Sequence, residues 1–527
     1  MTQKLLMSVI AAVMTFSVQA TKIQILHTND IHSQLDHTDH LEEQGGYARL
    51  KTLIDSEKNK AQRDGIFNLT MDAGDFLEGN IYYLADKGRK VFELHDMMGF
   101  DVVTIGNHDY LMGTDDLDAI LGDVKPSFAF LGANLFTADR FQNIHEQLRP
   151  YTEFEYDGVK IGVLGLTTND ILYKWRINEG GINNEYDTCK QYAKELRERG
   201  NHVIIALTHM GLSKDKKLAE KCPEVDVIVG GHSHHTLEEV LYVENKLDKR
   251  VPIVQTGFHG RFLGRLNLNY DNITGEVTVD KYKLLPVIAD EDPEILAKIE
   301  ETNEDLYAEY GEKWLDEVVG RSELDSPLEG GNKDIWGHFI NDSMREQTGS
   351  DFSIHVEPMS GLNYPTHASI TRRDLYNGNP RTFEFDKKFG YNVYTARIHG
   401  GLVKTLFRIV MKAGLPLYVS GITFDIKKFT EKGYVITNLR FKGEKINPFK
   451  TYSVSLNEGI VRGGYSISKL VKLILKDGAN SGVSMWEAME NKLSRIKLLD
   501  ETYLDDYGRK GNIDHVDRGY IPGIRLE

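Results

Sequence analysis

From Lys22 onward, short apolar runs alternate with stretches whose apolar positions recur at helical spacing. KIQILHTND is followed by a predicted helix near Tyr47–Asn59, then by GIFNLTMDAGD and a second helix near Lys90–Met98. FDVVTIGNHD, KIGVLGLTT, HVIIALTHMG and VDVIVGGHSHH continue the order, which predicts a layered α/β domain. Each apolar run ends in polar residues, so His, Asp and Asn fall just past strand ends, where open α/β sheets place their ligand sites. After Leu285 the pattern changes. In the charged stretch EDPEILAKIEETNEDLYAEYGEKW, the positions Ile295, Leu296, Ile299, Leu306 and Tyr307 suit one buried stripe of a helix joining two domains. The remainder, about 321–527, opens with a predicted helix near Trp336–Gln347 and continues with strands such as NVYTARIHG and TYSVSL, an α+β pattern.

Length agrees with this division. A chain of 527 residues exceeds the roughly 250–300 at which single cores stop growing, so two bodies with a cleft between them are expected. Hydrophobic content of 40% and charged content of 27% are ordinary for a globular protein and exclude disorder as the dominant state. The net charge of −16 provides no general basic field, which makes nucleic-acid polymers poor substrates. The first twenty residues place one Lys before an apolar stretch and end in Val18-Gln19-Ala20, a small-x-small cleavage pattern. Leu5 to Val18 is short for a bilayer that needs about 20 residues, so a cleaved signal peptide is expected over an uncleaved anchor. A mature chain beginning at Thr21, located in the periplasm or outside the cell, follows, with no later membrane span. Cys189 and Cys222 are the two cysteines, and export permits one disulfide between them; two separate buried thiols are equally compatible with the sequence.

The candidate chemistry lies in five polar blocks: Asp30-x-His32, Gly74-Asp75, Gly106-Asn107-His108-Asp109, His209, and Gly231-His232-Ser233-His234. Any one block alone reads as a cap or a turn. Together they offer carboxylate, amide and imidazole donors that suit Zn, Mn, Fe or Co, and a carboxylate such as Asp75 can bridge two cations. Two divalent ions roughly 3.5–4 Å apart hold phosphoryl oxygens and lower the pKa of a shared water, so that hydroxide exists near neutral pH.

ILHTNDIHSQLD, DAGDFLEGN, TIGNHDYLMG, THMG and GGHSHH, in this order across about 21–265, resemble the metal blocks of the calcineurin-like metallophosphoesterases, and more closely those of the exported 5′-nucleotidase family. The resemblance implies an N-terminal layered β-sandwich flanked by helices (21–286), a helical linker (287–320) and an α+β substrate domain (321–527). Carried over residue by residue, it puts Asp30, His32, Asp75 and His234 on one metal and Asp75, Asn107, His209 and His232 on the other. It gives no metal to His27, His37, His40, His95, His235 or His259, which read as surface or packing residues. His108 follows a ligand and, by the same resemblance, contacts the phosphoryl oxygen or the leaving group; a structural role is the rival reading. A positioned His is worth roughly 10²–10⁴-fold in rate. The family's Asp three residues further on is Leu111 here. That loss lowers the tendency of His108 to be protonated, with Asp109 and Asp115 as candidate substitutes.

KKFGYNVYTARIHGGLVKTLF, LYVSGITFDI and FKTYSVSLNEGIVRGGY resemble the family's C-terminal domain, which supplies an NSGGIR-like loop, two rings that sandwich a base and a late Gly-Gly-Asp turn. The corresponding loop here is Met359-Ser360-Gly361-Leu362-Asn363-Tyr364, lacking the Asn and the Arg, whose bidentate fork Tyr cannot imitate. Phe389 matches the first ring, Gly459 stands at the second ring position, and the late turn is Gly463-Gly464-Tyr465. Phe389, Tyr364, Arg462 and Tyr465 are therefore the candidate substrate contacts, with Tyr391 as a further one. Arg372 and Arg373 read as solvated surface or as added positive charge near the loop. The resemblance implies a metal-dependent phosphoric ester hydrolase acting on a nucleotide or another small phosphorylated metabolite. The departures leave room for cyclic nucleotides, nucleotide sugars or sulfur esters, and for a metal-binding surface protein without turnover. Oligomeric state is left open.

Overall fold

The computed structural model describes residues 20–37, 43–169, 174–325, 332–356, 364–385, 391–412, 417–430, 433–467, 474–503 and 520–521. The expected signal peptide, all but Ala20, therefore lies outside the described residues. Strand β1, Thr21–Thr28, is buried at every position but Lys22, which explains its near-continuous apolar run. It pairs in parallel with β2, Phe67–Asp72, setting Ile25 opposite Leu69, and antiparallel with Phe262–Tyr270, setting Ile25 opposite Leu266. β2 continues in parallel to β3, Val102–Thr104, within a seven-stranded sheet. A second, six-stranded sheet is built around the parallel strands Val159–Thr167, Val203–His209 and Val227–Gly230, with Ile205 between Val163 and Val227.

The two sheets face each other. Ile23, Ile25, Leu69 and Met71 from the first share one core cluster with Val163, Ile205, Leu207 and Val229 from the second. The N-terminal half is thus the expected β-sandwich. Helices cover its outer faces: Tyr47–Arg63 and Arg89–Met97 on one side, Glu185–Glu198 and Leu212–Lys221 on the other. Cys189 on Glu185–Glu198 and Cys222 at the end of Leu212–Lys221 are disulfide-bonded with Cα atoms 6.3 Å apart, which resolves the alternative left open above.

The predicted joining helix runs from Pro293 to Tyr310. Its start is fixed by Pro293 in the first turn and by Asp292, whose carboxylate accepts from the N–H groups of Glu294 and Ile295 at 3.0 Å each. Ile295, Ile299 and Leu306 are buried as the stripe predicts, and Leu296 and Tyr307 are partly buried against the same core. Beyond it, helix Asn332–Thr348 packs on a six-stranded sheet whose central strands are Asn392–His399, Thr451–Asn457 and Phe352–Val356. Phe352, Ile354, Phe407, Val454 and Leu456 form the core of that sheet. A larger cluster runs from Tyr47 and Phe92 through Ile299 and Leu306 to Trp336, Tyr391 and Trp486, so apolar packing is continuous from the sandwich to the C-terminal half.

The disulfide lies on the outer face of the second sheet and closes a separation of 33 residues. Replacing both cysteines by Ala is expected to cost the N-terminal half about 2–4 kcal/mol in urea unfolding, with bound metal at the wild-type level.

Candidate metal centre

Every expected ligand lies at or just beyond the carboxyl end of a strand. Asp30 and His32 follow β1, Asp75 follows β2, Asn107 follows β3, His209 ends Val203–His209, and His232 and His234 follow Val227–Gly230. Turning a side chain back over the sheet end needs a sharp bend. Five of the seven accordingly lie in the left-handed region: Asp30 (φ 53°), His32 (φ 56°), Asp75 (φ 58°), His232 (φ 78°) and His234 (φ 56°). Such backbone costs on the order of 1–3 kcal/mol per residue and persists only where its surroundings enforce it. Bonds between the loops do so here, with Asp30 N–H donating to the Gly74 carbonyl and His32 N–H to the Asp75 carbonyl, each at 2.9 Å. At Gly106 a Cβ would stand 2.1 Å from Asp75 Oδ1, so only Gly fits beneath that carboxylate.

The side chains converge as two groups. Asp30, His32 and His234 present ligand atoms within 4.8 Å of one another, as do Asp75, His209 and His232. A third set, His32, Asp75 and His108, links the two, sharing His32 with the first and Asp75 with the second. The two imidazole Nε2 atoms of His32 and His234 are 3.2 Å apart, and His209 Nε2 is 2.8 Å from Asp75 Oδ2. His32 Nδ1 donates to the Glu78 carbonyl at 2.8 Å and His209 Nδ1 to the Ala73 carbonyl at 2.7 Å, which turns both Nε2 atoms to the cluster. Asn107 is 1% exposed, and neither atom of its amide has a hydrogen-bond partner among the described residues. A buried amide without partners is costly, and a cation on its oxygen is the group that fits.

The electrostatics agree. Burial opposes ionisation of Asp30, yet His234 and His209 hold its carboxyl down to about 2. Asp75 is held well below the carboxylate range, against burial, chiefly by His209 and His108. Burial disfavours the His209 cation, but Asp75 and Asp30 overrule it and lift the imidazole to about 10. Burial drives His32 down to about 3 against the pull of Asp75, leaving a neutral ring with a lone pair to donate. Two buried carboxylates among imidazoles form a position that a proton on His209 and a divalent cation compete for.

His108 is anchored by neither expected substitute. Asp109 is turned inward, accepting from the N–H groups of Gly106, Asp75 and Leu77 at 2.7, 2.9 and 3.0 Å and knitting two loops together. Asp115 pairs with Arg140 on the surface. The partner is Glu78, whose Oε2 lies 2.5 Å from His108 Nδ1, and Arg381 of the C-terminal half donates to the same oxygen. Burial takes His108 down to about 4 although Asp75 and Glu78 pull the other way, so the cause is desolvation and not the missing carboxylate expected from Leu111. Glu78 lies inside the quoted block DAGDFLEGN, so an acid three residues after a ligand was its signal; Arg381 has no local signal.

The expected substrate contacts are more scattered. Tyr364 is 6% exposed and stacks on Trp336, with centroids 4.7 Å apart, within the core. Arg462 forms ion pairs with Glu458 at 2.5 Å and Glu384 at 3.3 Å and lies over the Trp175 ring. Tyr391 is fully buried against Phe383, and its hydroxyl accepts from Gly459 N–H at 3.4 Å. Arg372 pairs with Glu317 and Glu490, and Arg373 with Asp316, so both serve the joining segment. Met359, Phe389 and the Tyr465 side chain lie outside the described residues.

Sequence comparison matches a calcineurin-like phosphoesterase profile over residues 23–236 and a 5′-nucleotidase C-terminal domain profile over residues 318–472. The chain is 25% identical over 526 residues to the trifunctional nucleotide phosphoesterase protein YfkN of Bacillus subtilis, covering 90% of this chain and 34% of YfkN, about a third of that relative's length. It is 29% identical over 462 residues to a 5′-nucleotidase of Diplobatis ommata, covering 77% of this chain and 75% of that enzyme. Among solved structures, a 5′-nucleotidase precursor from Thermus thermophilus aligns over 90% of this chain and 97% of its own, with a TM-score of 0.76 at 22% identity, a likeness of fold.

Because His209 rises to about 10, it is protonated at neutral pH until a metal displaces the proton. Calorimetric titration with Zn or Mn in buffers of different ionisation enthalpy is expected to show proton release at pH 7. Affinity is expected to rise with pH from 6 to 9, by about tenfold per unit for each proton released.

Proposed function

Because the chain belongs to the 5′-nucleotidase family, a calcineurin-like phosphoesterase domain followed by a 5′-nucleotidase C-terminal domain, we propose that it is an exported enzyme converting a nucleotide to its nucleoside and phosphate. Membership makes it a metal-dependent phosphoric ester hydrolase. We assign the phosphoesterase domain to residues 21–286, the linker to 287–320 and the substrate domain to 321–527, a division supported by the Pro293–Tyr310 helix. Among the described residues, no helix is long and apolar enough to cross a membrane.

The observation that carries the reading is the convergence of Asp30, His32, Asp75, His209, His232 and His234 from four strand ends on two adjoining groups, with the partnerless amide of Asn107 following a fifth strand. Two divalent cations, when bound, supply positive charge to the phosphoryl oxygens and acidify a water for in-line attack. The protein's own residues do the rest. Asp30 and Asp75, ionised and buried, define where positive charge is accepted, and the fixed rings of His32 and His209 hold the donor atoms in place. His108, with Nδ1 tied to Glu78 and Nε2 3.8 Å from Asp75 Oδ2, faces the same space and is assigned to the phosphoryl or leaving-group oxygen.

A second reading keeps this chemistry and changes the ester. It is favoured by Leu111 at the position of the family's Asp and by the paired state of Arg462, whose guanidinium is already held by Glu458 and Glu384.

The test is steady-state hydrolysis by the Mn-, Co- or Zn-loaded protein of AMP, a 2′,3′-cyclic nucleotide, glycerol phosphate and p-nitrophenyl phosphate. The nucleotidase reading expects kcat/KM for AMP to exceed that for glycerol phosphate by at least about tenfold, a difference of about 1.4 kcal/mol. Asp75→Asn is expected to abolish turnover and lower bound metal. No turnover of any ester with any of the three metals would sink the hydrolase reading, and faster turnover of the cyclic or glycerol ester would replace AMP as the substrate.

A further inference from the structure

Glu78 is fully buried and serves two sides of the site at once. Its carbonyl accepts from His32 Nδ1 and its carboxylate holds His108 Nδ1. The loop is pressed against the ligand: at Gly79 (φ 155°) a Cβ would lie 2.4 Å from His32 Cβ. A carboxyl group with no exposure needs hydrogen-bond partners, and a guanidinium is among the strongest. Arg381 supplies one through its bond to Glu78 Oε2, with the same guanidinium nitrogen 3.4 Å from His108 Nδ1.

Arg381 reaches this position as one point of a docking segment. Asn377 Oδ1 accepts from Ile81 N–H at 2.9 Å. Phe383 meets Trp175 edge-on at 5.0 Å between centroids, and Phe385 meets Tyr83 at 5.4 Å. The intervening residues point the other way: Thr382 bonds the Tyr376 hydroxyl at 3.0 Å and Glu384 pairs with Arg462. Arg381, Phe383 and Phe385 thus each meet a residue of the N-terminal half.

We propose that Glu78 and Arg381 are positioning residues for His108, and that Arg381 makes the C-terminal half part of the catalytic machinery rather than only a substrate holder. While the Asn377–Phe385 segment is docked, Arg381 holds Glu78 turned to His108. When the segment withdraws, Glu78 loses that anchor and with it its hold on the ring. Turnover is thereby coupled to the apposition of the two halves through a guanidinium and a carboxylate, neither of which is a metal ligand. The proposal rests on the hydrolase reading above.

The test is a double-mutant cycle on the full chain, with kcat and KM measured on the best ester of the substrate screen and metal content and thermal midpoint recorded for each variant. Glu78→Gln and Arg381→Gln are each expected to lower kcat by roughly 10–100-fold, the scale of losing a group that orients a functional imidazole, with KM changed far less. In a His108→Asn background, either substitution is expected to cost less than about twofold further, because groups acting through one ring act as a unit. Losses that multiply with His108→Asn, or that track lost metal, would overturn the proposal, as would wild-type kcat in Arg381→Gln. Should Arg381→Gln not fold, Arg381→Lys takes its place in the cycle, keeping the charge and losing the fork. A wild-type protein inactive on every ester overturns the hydrolase reading instead.

Discussion

Two carboxylates, those of Asp30 and Asp75, are buried to 0% and 1% exposure beneath the imidazoles of His32, His209, His232 and His234. Removing an ionised carboxylate from water costs several kcal/mol even after relaxation, and proximity to a second one adds to that. Much of the local irregularity in the sandwich answers this constraint. The left-handed turns at five candidate ligands aim donors at two adjoining groups, Gly74 and Gly106 bring two loops within van der Waals reach, and Asp109 ties those loops by three backbone bonds. Loops bent this sharply hold their shape because the strands beneath them are fixed. Ile23, Ile25, Val163, Ile205 and Val229 form a dry core between the sheets, and strain at the strand ends is carried by that core.

The sequence made the scaffold and the candidate ligands legible for a simple reason. Buried strands read as apolar runs, and a polar residue that ends such a run stands out, as Asp30, Asp75 and His209 do. Helix positions were equally visible, since Tyr47–Arg63, Pro293–Tyr310 and Asn332–Thr348 carry their stripes or caps locally. What stayed hidden depends on packing between distant segments. Asp109 and Asp115 were the natural candidates to anchor His108 because they are near in sequence, yet one is spent on backbone N–H groups and the other on Arg140. Glu78 reaches His108 only because two loops cross, and Arg381 only because the C-terminal half folds back. Tyr364 shows the converse, a residue at a functional position of the relatives' pattern that stacks within a core.

The two halves are joined by more than a connector. The Pro293–Tyr310 helix lies between them, with Ile295, Ile299 and Leu306 on its buried stripe and Asn303 bonded to both Tyr82 and Arg373. Beside this apolar bridge stand directional polar contacts between the halves, among them Ile81 to Asn377 and Glu78 to Arg381. Apolar area supplies adhesion without strong preference for one orientation, whereas these bonds are satisfied in one arrangement only. The apposition therefore has a defined register, and that register is set within a few ångströms of the candidate metal ligands.

The position of β1 has a consequence for how such a chain is made. It is the earliest strand of the sandwich to emerge during synthesis, yet it lies inside its sheet, with Thr21 paired to Tyr270. At ordinary elongation rates of about 5–20 residues per second, one hydrogen-bonding edge of an apolar strand waits roughly ten to fifty seconds for its partner. An open edge of that kind is a template for pairing with other chains. The nascent N-terminal half is thus a natural client for holding factors until its last strands arrive, and truncations ending before residue 262 should be aggregation-prone rather than merely inactive.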